Sequence, residues 1–262
     1  MPPVITLTTD FGVSDHYVGT MKGVILLRCP DARIVDITHG IAPFSISGAA
    51  YTIDQSAPYF PLGTVHVVVV DPGVGTERKA IVIDALGQVF VGPDNGVFTQ
   101  ILARDPQART FEVTNRDLAL PNASATFHGR DLFAPVAAAV ANGSISLQKV
   151  GPILKQPEMI PDLKPVQAGE AQWRGRILSI DHFGNVITNF SSVFFLPLIT
   201  GRFELLAGDS RIRTRATTFG EVAPGKLFVY PGSSGYLEIG LNLDRAAVLL
   251  GIESNAPLVL NL

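Results

Sequence analysis

The sequence predicts an α/β domain followed by a small β-barrel, and three observations carry that prediction. From Val4 to about Leu163, short apolar runs with strand character alternate with helix-like stretches. Several of those runs are continuous in Val and Ile instead of alternating with polar residues, as strands covered on both faces require. Beyond about Lys164 the pattern changes to short strand candidates at even spacing, divided by Gly, Asn and Pro, which suits a barrel or sandwich.

Taken in order, Val4–Thr9 reads as a buried strand and Asp15–Cys29 as an amphipathic helix stopped by Pro30. Ile34–Ile37, Thr64–Val70 and Ile81–Ala85 read as further strands and Ser45–Ala57 as a helix, so the sheet is expected to be mainly parallel and Rossmann-like. Phe133–Ala141 reads as a small-residue helix ended by Asn142 and Gly143. The second domain offers Gly175–Ile180, Val186–Asn189, Arg202–Leu206, Ser210–Arg215, Lys226–Tyr230, Tyr236–Leu241 and Ala247–Leu250 as strands. Residues 156–169, with three prolines and mixed charge, read as the linker, which places the domains at 1–163 and 170–262.

Composition removes several function classes. The apolar share of 47% points to extensive buried surface, subunit contacts included. No run reaches the roughly 20 apolar residues of a membrane helix; the Val65–Val70 run is cut by Asp71 and Pro72. The opening Met-Pro-Pro-Val-Ile-Thr enters a strand-like run without the basic start of a signal peptide, so a cytoplasmic protein is expected. Cys29 is the single cysteine, which excludes an internal disulfide and a thiolate metal cluster. A net charge of −3 without basic clusters argues against nucleic acid and for a small-molecule partner.

Four polar clusters fall at predicted strand ends or before a helix, where open α/β sheets bind ligands. They are Thr8 to Gly12, Asp71 to Arg78, Phe127 to Asp131 and, in the second domain, Asp181 to Asn185. Each has a plainer alternative. Asp10 could cap a helix or form a turn, Asp71-Pro72-Gly73 could be a turn, Arg78 a surface charge and His128 a structural histidine. Gly73 and Gly75 complete neither a P-loop nor a dinucleotide fingerprint. His16, His39, His66 and His182 are too scattered for a metal set, so no metal is expected. Together, a carboxylate, a guanidinium and an imidazole at sheet edges would make a water-activating group if they converged.

At these clusters the chain resembles the S-adenosylmethionine hydroxide adenosyltransferase family, adenosine-forming hydrolases related to the fluorinase and chlorinase. The resemblance runs through Thr9-Asp10-Phe11-Gly12, Cys29-Pro30-Asp31, Val35 to His39, Asp71 to Gly75 and Gly92 to Gly96. It continues through Thr126 to Asp131, Asp181 to Asn189 and Gly235-Tyr236-Leu237. It implies a homotrimer with each active site between the first domain of one subunit and the second domain of its neighbour. It also implies a catalytic set of Asp71, Arg78 and His128. Asp10 matches the carboxylate on the ribose hydroxyls, and Asn185 the residue at the adenine edge, with Phe183 and Phe219 as ring neighbours. Ser233 and Glu238 match further ligand contacts, and Asp181 and Asp15 residues near the methionine ammonium.

The implied reaction is attack of water on the ribose 5′ carbon of S-adenosyl-L-methionine, releasing adenosine and L-methionine. The leaving group is a neutral thioether, so no cofactor and no acid are expected. Asp71 and His128 are expected to hold the water, with either as the base, and Arg78 to keep Asp71 ionised. A chlorinase is the alternative: the halide-using relatives carry Tyr at the position of Asp71, and the fluorinase Ser at that of Gly129. Charge repulsion between a carboxylate and chloride about 4 Å apart, ~4 kcal/mol at an effective dielectric near 20, favours water. A non-catalytic sensor of S-adenosylmethionine or adenosine is the third reading.

Overall fold

A computed structural model describes residues 2–161 and 163–262. The chain divides into two compact units, Met1–Ile160 and Pro161–Leu262.

The first unit is a six-stranded sheet between two layers of helices. Its strands are β1 (Val4–Thr9), β2 (Arg33–Thr38), β3 (Val65–Val69), β4 (Ala80–Ala85), β5 (Gln88–Pro93) and β6 (Arg109–Glu112), in the order β2-β1-β3-β5-β4-β6. Along the continuous Val run, side chains alternate between faces: Val65, Val67 and Val69 join one core, and Val68 and Val70 the other. On the first face pack α1 (Tyr17–Arg28) and α4 (Ala134–Ala141), through Met21, Val24, Ile25 and Ala137. On the second pack α2 (Ile46–Ser56) and α3 (Thr99–Arg104), through Ala49, Ile53 and Ile101. Burial on both sides is why these strands carry no polar alternation.

The sheet is parallel only across β2-β1-β3-β5; β4 runs antiparallel to both its neighbours. The cause is a two-residue hairpin at Leu86 and Gly87, whose φ values are 56° and 71°. That turn suits the twist of an antiparallel pair, but a leucine in its first position carries no turn signature. The helices are close to expectation. Ser45 caps α2, its hydroxyl accepting from the Gly48 N–H at 3.3 Å. Before α4, Gly129–Phe133 form a π-turn, a local widening of the helix that sequence pattern does not reveal.

His66, on β3, is fully buried; its Nδ1 meets the Thr6 hydroxyl at 2.7 Å and its ring stacks on Phe90 at 5.0 Å. Burial pushes its pKa from 6.5 down to about 4. Below 6.5 the unfolded chain takes up a proton that the folded chain refuses. Stability is therefore full above that value and falls by ~3 kcal/mol as the pH approaches 4. Melting curves recorded across that window should show the loss in the native protein and a flatter profile in His66→Gln. An equally acid-sensitive variant refutes the assignment.

The second unit is an antiparallel sheet that nearly closes into a barrel. It contains β7 (Val166–Gly169), β8 (Gln172–Ile180), β9 (Val186–Ser191), β10 (Glu204–Ala207), β11 (Ser210–Ile212), β12 (Leu227–Pro231), β13 (Tyr236–Leu241) and β14 (Pro257–Asn261). The order is β11-β10-β14-β8-β9-β13-β12, with β7 beside β8. The chain beyond β11 returns to β12, where Val229 N–H donates to Thr214 O at 2.9 Å and Ala216 N–H to Val229 O at 3.0 Å. Two short helices, α5 (Ser192–Phe195) and α6 (Ala246–Leu250), complete the unit.

One expectation is corrected here. The predicted strand Ala247–Leu250 is the helix α6: Ala246, Ala247 and Leu250 are buried while Val248 and Leu249 are exposed, and Gly251 ends it at φ 61°. Four apolar residues in a row do not distinguish strand from helix by period alone. The boundary between the two units falls inside the stretch read as linker, 156–169, whose ends are structured: Glu158 and Ile160 donate their backbone N–H groups to Asp94 and Thr99 at 2.8 Å, and β7 pairs with β8. Among the described residues, no helix is long and apolar enough to cross a membrane.

Candidate active site

The carboxyl edge of β3 supplies the centre. Immediately past it, Asp71 begins a compact turn in which Val74 N–H donates to Asp71 O at 3.2 Å and the Thr76 hydroxyl to Gly73 O at 2.7 Å. Gly75 stands at φ 79°, where a Cβ would lie 2.6 Å from the carbonyl oxygen of Ala125. The glycine thus serves a close approach between two loops, and the turn brings Arg78 back over Asp71.

Arg78 Nε donates to Asp71 Oδ1 at 3.0 Å, and Nη2 donates to Asp71 Oδ2. The same Nη2 stands 3.0 Å from His128 Nδ1. The guanidinium also covers the Phe133 ring at 5.3 Å. The Arg78 and Asp71 side chains are only 7% and 5% exposed. The sequence separation between Arg78 and His128 is bridged by sheet order: β3 ends beside the loop that leads into the π-turn. Burial raises the pKa of Asp71, with the guanidinium and the imidazole opposing that rise. Burial lowers that of His128, and Arg78 lowers it further. A guanidinium has no acceptor, so His128 Nδ1 accepts from it and the neutral ring carries its proton on Nε2.

Asp71 and His128 line a cavity of about 610 Å³ together with Asp10 and an aromatic wall of Phe11, Tyr17, Phe44 and Phe127. That volume is in the range of small-ligand sites. The Asp10 carboxylate accepts from the Phe44 N–H at 2.9 Å, with Phe44 held at φ 67°. A bulky residue in the left-handed region marks local strain of the kind found at ligand sites. Phe11, Tyr17 and Phe127 meet edge-on at centroid distances of 5.1 to 5.9 Å. Behind them, Asp131 binds Arg130 Nε at 2.6 Å and the Ser124 N–H at 2.8 Å, and Arg130 lies over the Phe127 ring at 4.9 Å. At Gly129 a Cβ would stand 3.3 Å from both Met21 Sδ and the Phe11 ring, so a side chain there requires those neighbours to shift by a few tenths of an ångström. Asp15, exposed in the loop before α1, does not line this cavity. Sequence reasoning missed the aromatic wall; its signal was the aromatic residues flanking Asp10 and His128.

In the second unit, Phe183, Asn185 and Phe219 share a cavity of about 530 Å³ with Leu241, Leu243 and Arg245. Asn185 is buried and oriented by Asp181, whose two carboxylate oxygens accept from the Asn185 N–H and Nδ2 at 2.8 Å each. Phe183 is 73% exposed, an unfilled aromatic face. Glu238 is outside this lining; it accepts from the Tyr230 hydroxyl at 2.6 Å and the Ser234 hydroxyl at 3.3 Å, and burial raises its pKa. Ser233 is exposed in the turn between β12 and β13.

Comparison with known proteins agrees with both halves of this description. Family models for the SAM hydroxide adenosyltransferase N-terminal domain and C-terminal domain match residues 5–151 and 175–259. The chain is 40% identical to an (R)-S-adenosyl-L-methionine hydrolase of Salinispora tropica, over 95% of this chain and 94% of that one. It is 29% identical to a fluorinase of Nocardia brasiliensis, over 94% and 92% respectively. The crystal structure of an uncharacterized conserved protein of Thermotoga maritima superposes with a TM-score of 0.87 at 40% identity, over 98% of this chain and 100% of that one.

Proposed function

The chain belongs to the SAM hydroxide adenosyltransferase family, and on that premise we propose that it hydrolyses S-adenosyl-L-methionine to adenosine and L-methionine, using Asp71, Arg78 and His128. The observation that carries this reading is the guanidinium that joins a carboxylate and an imidazole on one wall of a cavity also lined by Asp10.

The hydrogen-bond roles support the following steps. His128 Nε2–H donates to the water oxygen and points a lone pair at the ribose 5′ carbon. Asp71 accepts a water proton, and its buried setting makes it a stronger base than an ordinary carboxylate. The oxygen forms its bond to the 5′ carbon as the carbon–sulfur bond breaks, and that electron pair neutralises the sulfonium. The departing thioether is uncharged, so the reaction needs neither cofactor nor general acid. Holding water in line contributes up to roughly 7–11 kcal/mol by proximity. Chloride carries no proton for Asp71 to accept, which favours water over halide at this position. The packing of Gly129 against Phe11 and Met21 leaves no room for an added hydroxyl without displacement.

For the rest of the substrate, the family resemblance supports Asp10 on the ribose hydroxyls, Asn185 with Phe183 and Phe219 around adenine, Asp15 and Asp181 near the methionine ammonium, and Ser233 and Glu238 as further ligand contacts. Asp181 also orients Asn185 for adenine, given its two bonds to that residue. The same resemblance supports a homotrimer in which a neighbouring copy's second unit completes each site. Exposed apolar side chains such as Leu27, Val193 and Val248 give such contacts material. A net charge of −3 disfavours nucleic acid. A substrate that is the cell's methyl donor supports a cytoplasmic setting.

The test is incubation with the (R) and (S) sulfonium epimers in ¹⁸O-water containing chloride. Adenosine labelled at the 5′ oxygen, formed faster from the (R) epimer as the relative's name suggests, is the expected result. 5′-Chloro-5′-deoxyadenosine would establish the halogenase, and bound but unchanged substrate the sensor; either overturns the hydrolase.

A further inference from the structure

His39 lies outside the reacting centre, yet its bonds lead to the loop that carries Asp10. It is 7% exposed, and Nδ1 is 2.8 Å from the Thr9 hydroxyl. Nε2 is 3.2 Å from Asp36 Oδ1, and the other Asp36 oxygen accepts from Lys22 Nζ at 2.6 Å. With the imidazole neutral, the carboxylate selects the tautomer. Nε2 faces Asp36 at ion-pair distance without hydrogen-bond geometry; a proton placed there, toward the carboxylate, leaves Nδ1 to accept from the Thr9 O–H. The Thr9 oxygen in turn accepts the Phe11 N–H at 3.2 Å. The backbone repeats the connection, with Gly12 N–H donating to His39 O at 2.8 Å and Ile41 N–H to Thr9 O at 3.4 Å. Asp10 sits inside this lattice and is fixed from its own side by the Phe44 N–H. Thr9 is fully buried, so the row resembles a hydroxyl–imidazole–carboxylate triad in connectivity but has no access to substrate.

We propose that His39 is a positioning residue for substrate recognition: through the Asp36–His39–Thr9 row it holds the Asp10–Gly12 loop so that the Asp10 carboxylate faces a vicinal diol in the cavity. This rests on the reading of Asp10 as the ribose contact. Burial strengthens each bond of such a row and makes a broken member costly, so removing the imidazole releases the loop while leaving Asp71, Arg78 and His128 in place.

The experiment compares His39→Phe, which keeps a ring in the space, and Thr9→Val with the native protein and with Thr9→Ser as the conservative control. The KM for S-adenosylmethionine should rise about tenfold in the first two, with kcat little changed, and Thr9→Ser should stay near native. Calorimetry with adenosine and 2′,3′-dideoxyadenosine gives the sharper reading. The native protein should prefer the diol, and His39→Phe should lose about tenfold in affinity for adenosine alone. Equal weakening of both nucleosides, or a kcat effect at constant KM, overturns the proposal. The binding assay does not depend on turnover, so a native protein that binds the diol selectively without hydrolysing S-adenosylmethionine would sink the hydrolase reading and leave this one standing. Should the variants fail to fold, the imidazole ¹⁵N shifts of the native protein decide: a proton on Nδ1 in place of Nε2 refutes the row.

Discussion

Asp71→Asn should lower kcat by about 10²–10⁴-fold with KM nearly unchanged, the range expected for loss of a positioned base. The amide matches the carboxylate in size and can still accept one bond from Arg78, so the fold and the cavity persist. What disappears is the acceptor for the water proton. The same assignment sets the pH profile of the native protein. Asp71 works ionised and has a raised pKa, because burial outweighs the opposing guanidinium. His128 works neutral and has a pKa below 6.5, because burial and Arg78 both resist its charge. Both groups therefore fail on the acid side: kcat/KM should fall on acidification and reach a plateau on the alkaline side. Steady-state rates for the variant and the pH series check the two statements together. A variant within a few-fold of native, or a profile that falls on the alkaline side first, removes Asp71 from the role of base.

Arg78→Ala should cost both stability and rate. Deleting one partner of a buried ion pair destabilises by about 3–5 kcal/mol, because the remaining charge has no compensation. The sign with pH identifies the cause. Without the guanidinium the Asp71 pKa rises further, and a carboxyl whose folded pKa is raised loses stability as pH climbs from its unfolded value through the folded one. The deficit should be largest at neutral pH and shrink on acidification. Denaturant melts of the variant and native protein at several pH values measure this difference. His128 Nδ1 also loses its donor, so the imidazole is free to adopt the other tautomer and the rate falls with it. A deficit that is constant with pH would mean that Arg78 acts by packing on Phe133, not as the counter-charge.

Local pattern carried much of the fold. Strands β1 and β13 have the boundaries read from the sequence, because β-branched and apolar residues give way there to Asp10-Phe11-Gly12 and Asn242, residues suited to loops and turns. Errors arose where local signals are degenerate. Ala247–Leu250 has no period long enough to separate helix from strand, and Leu86 adopts a turn conformation that leucine seldom takes. In the site, Asp71 and Arg78 stand seven positions apart in one turn, and the sequence marks both. Their bonds to each other and to His128 depend on which strand end faces which loop, a property of sheet order. The aromatic wall escaped notice because Phe11, Tyr17 and Phe127 belong to separate segments whose polar neighbours drew attention first. The sequence offered His39 as a poor metal ligand and as the end of a family motif but gave it no bonding role, since neither Thr9 nor Asp36 declares itself a partner until β1 and β2 lie side by side.

The sequence alone determined the division into an α/β unit and a β unit, the family, and the residue types available for chemistry, because hydrophobic period and ordered motifs are local properties of the chain. Tertiary structure decided which of those residues share a cavity, which nitrogen of His128 is left to carry a proton, and why Asp71 is more basic than a free carboxylate. Those properties come from burial and from the distances between groups far apart in the chain, and they come into being only when it folds.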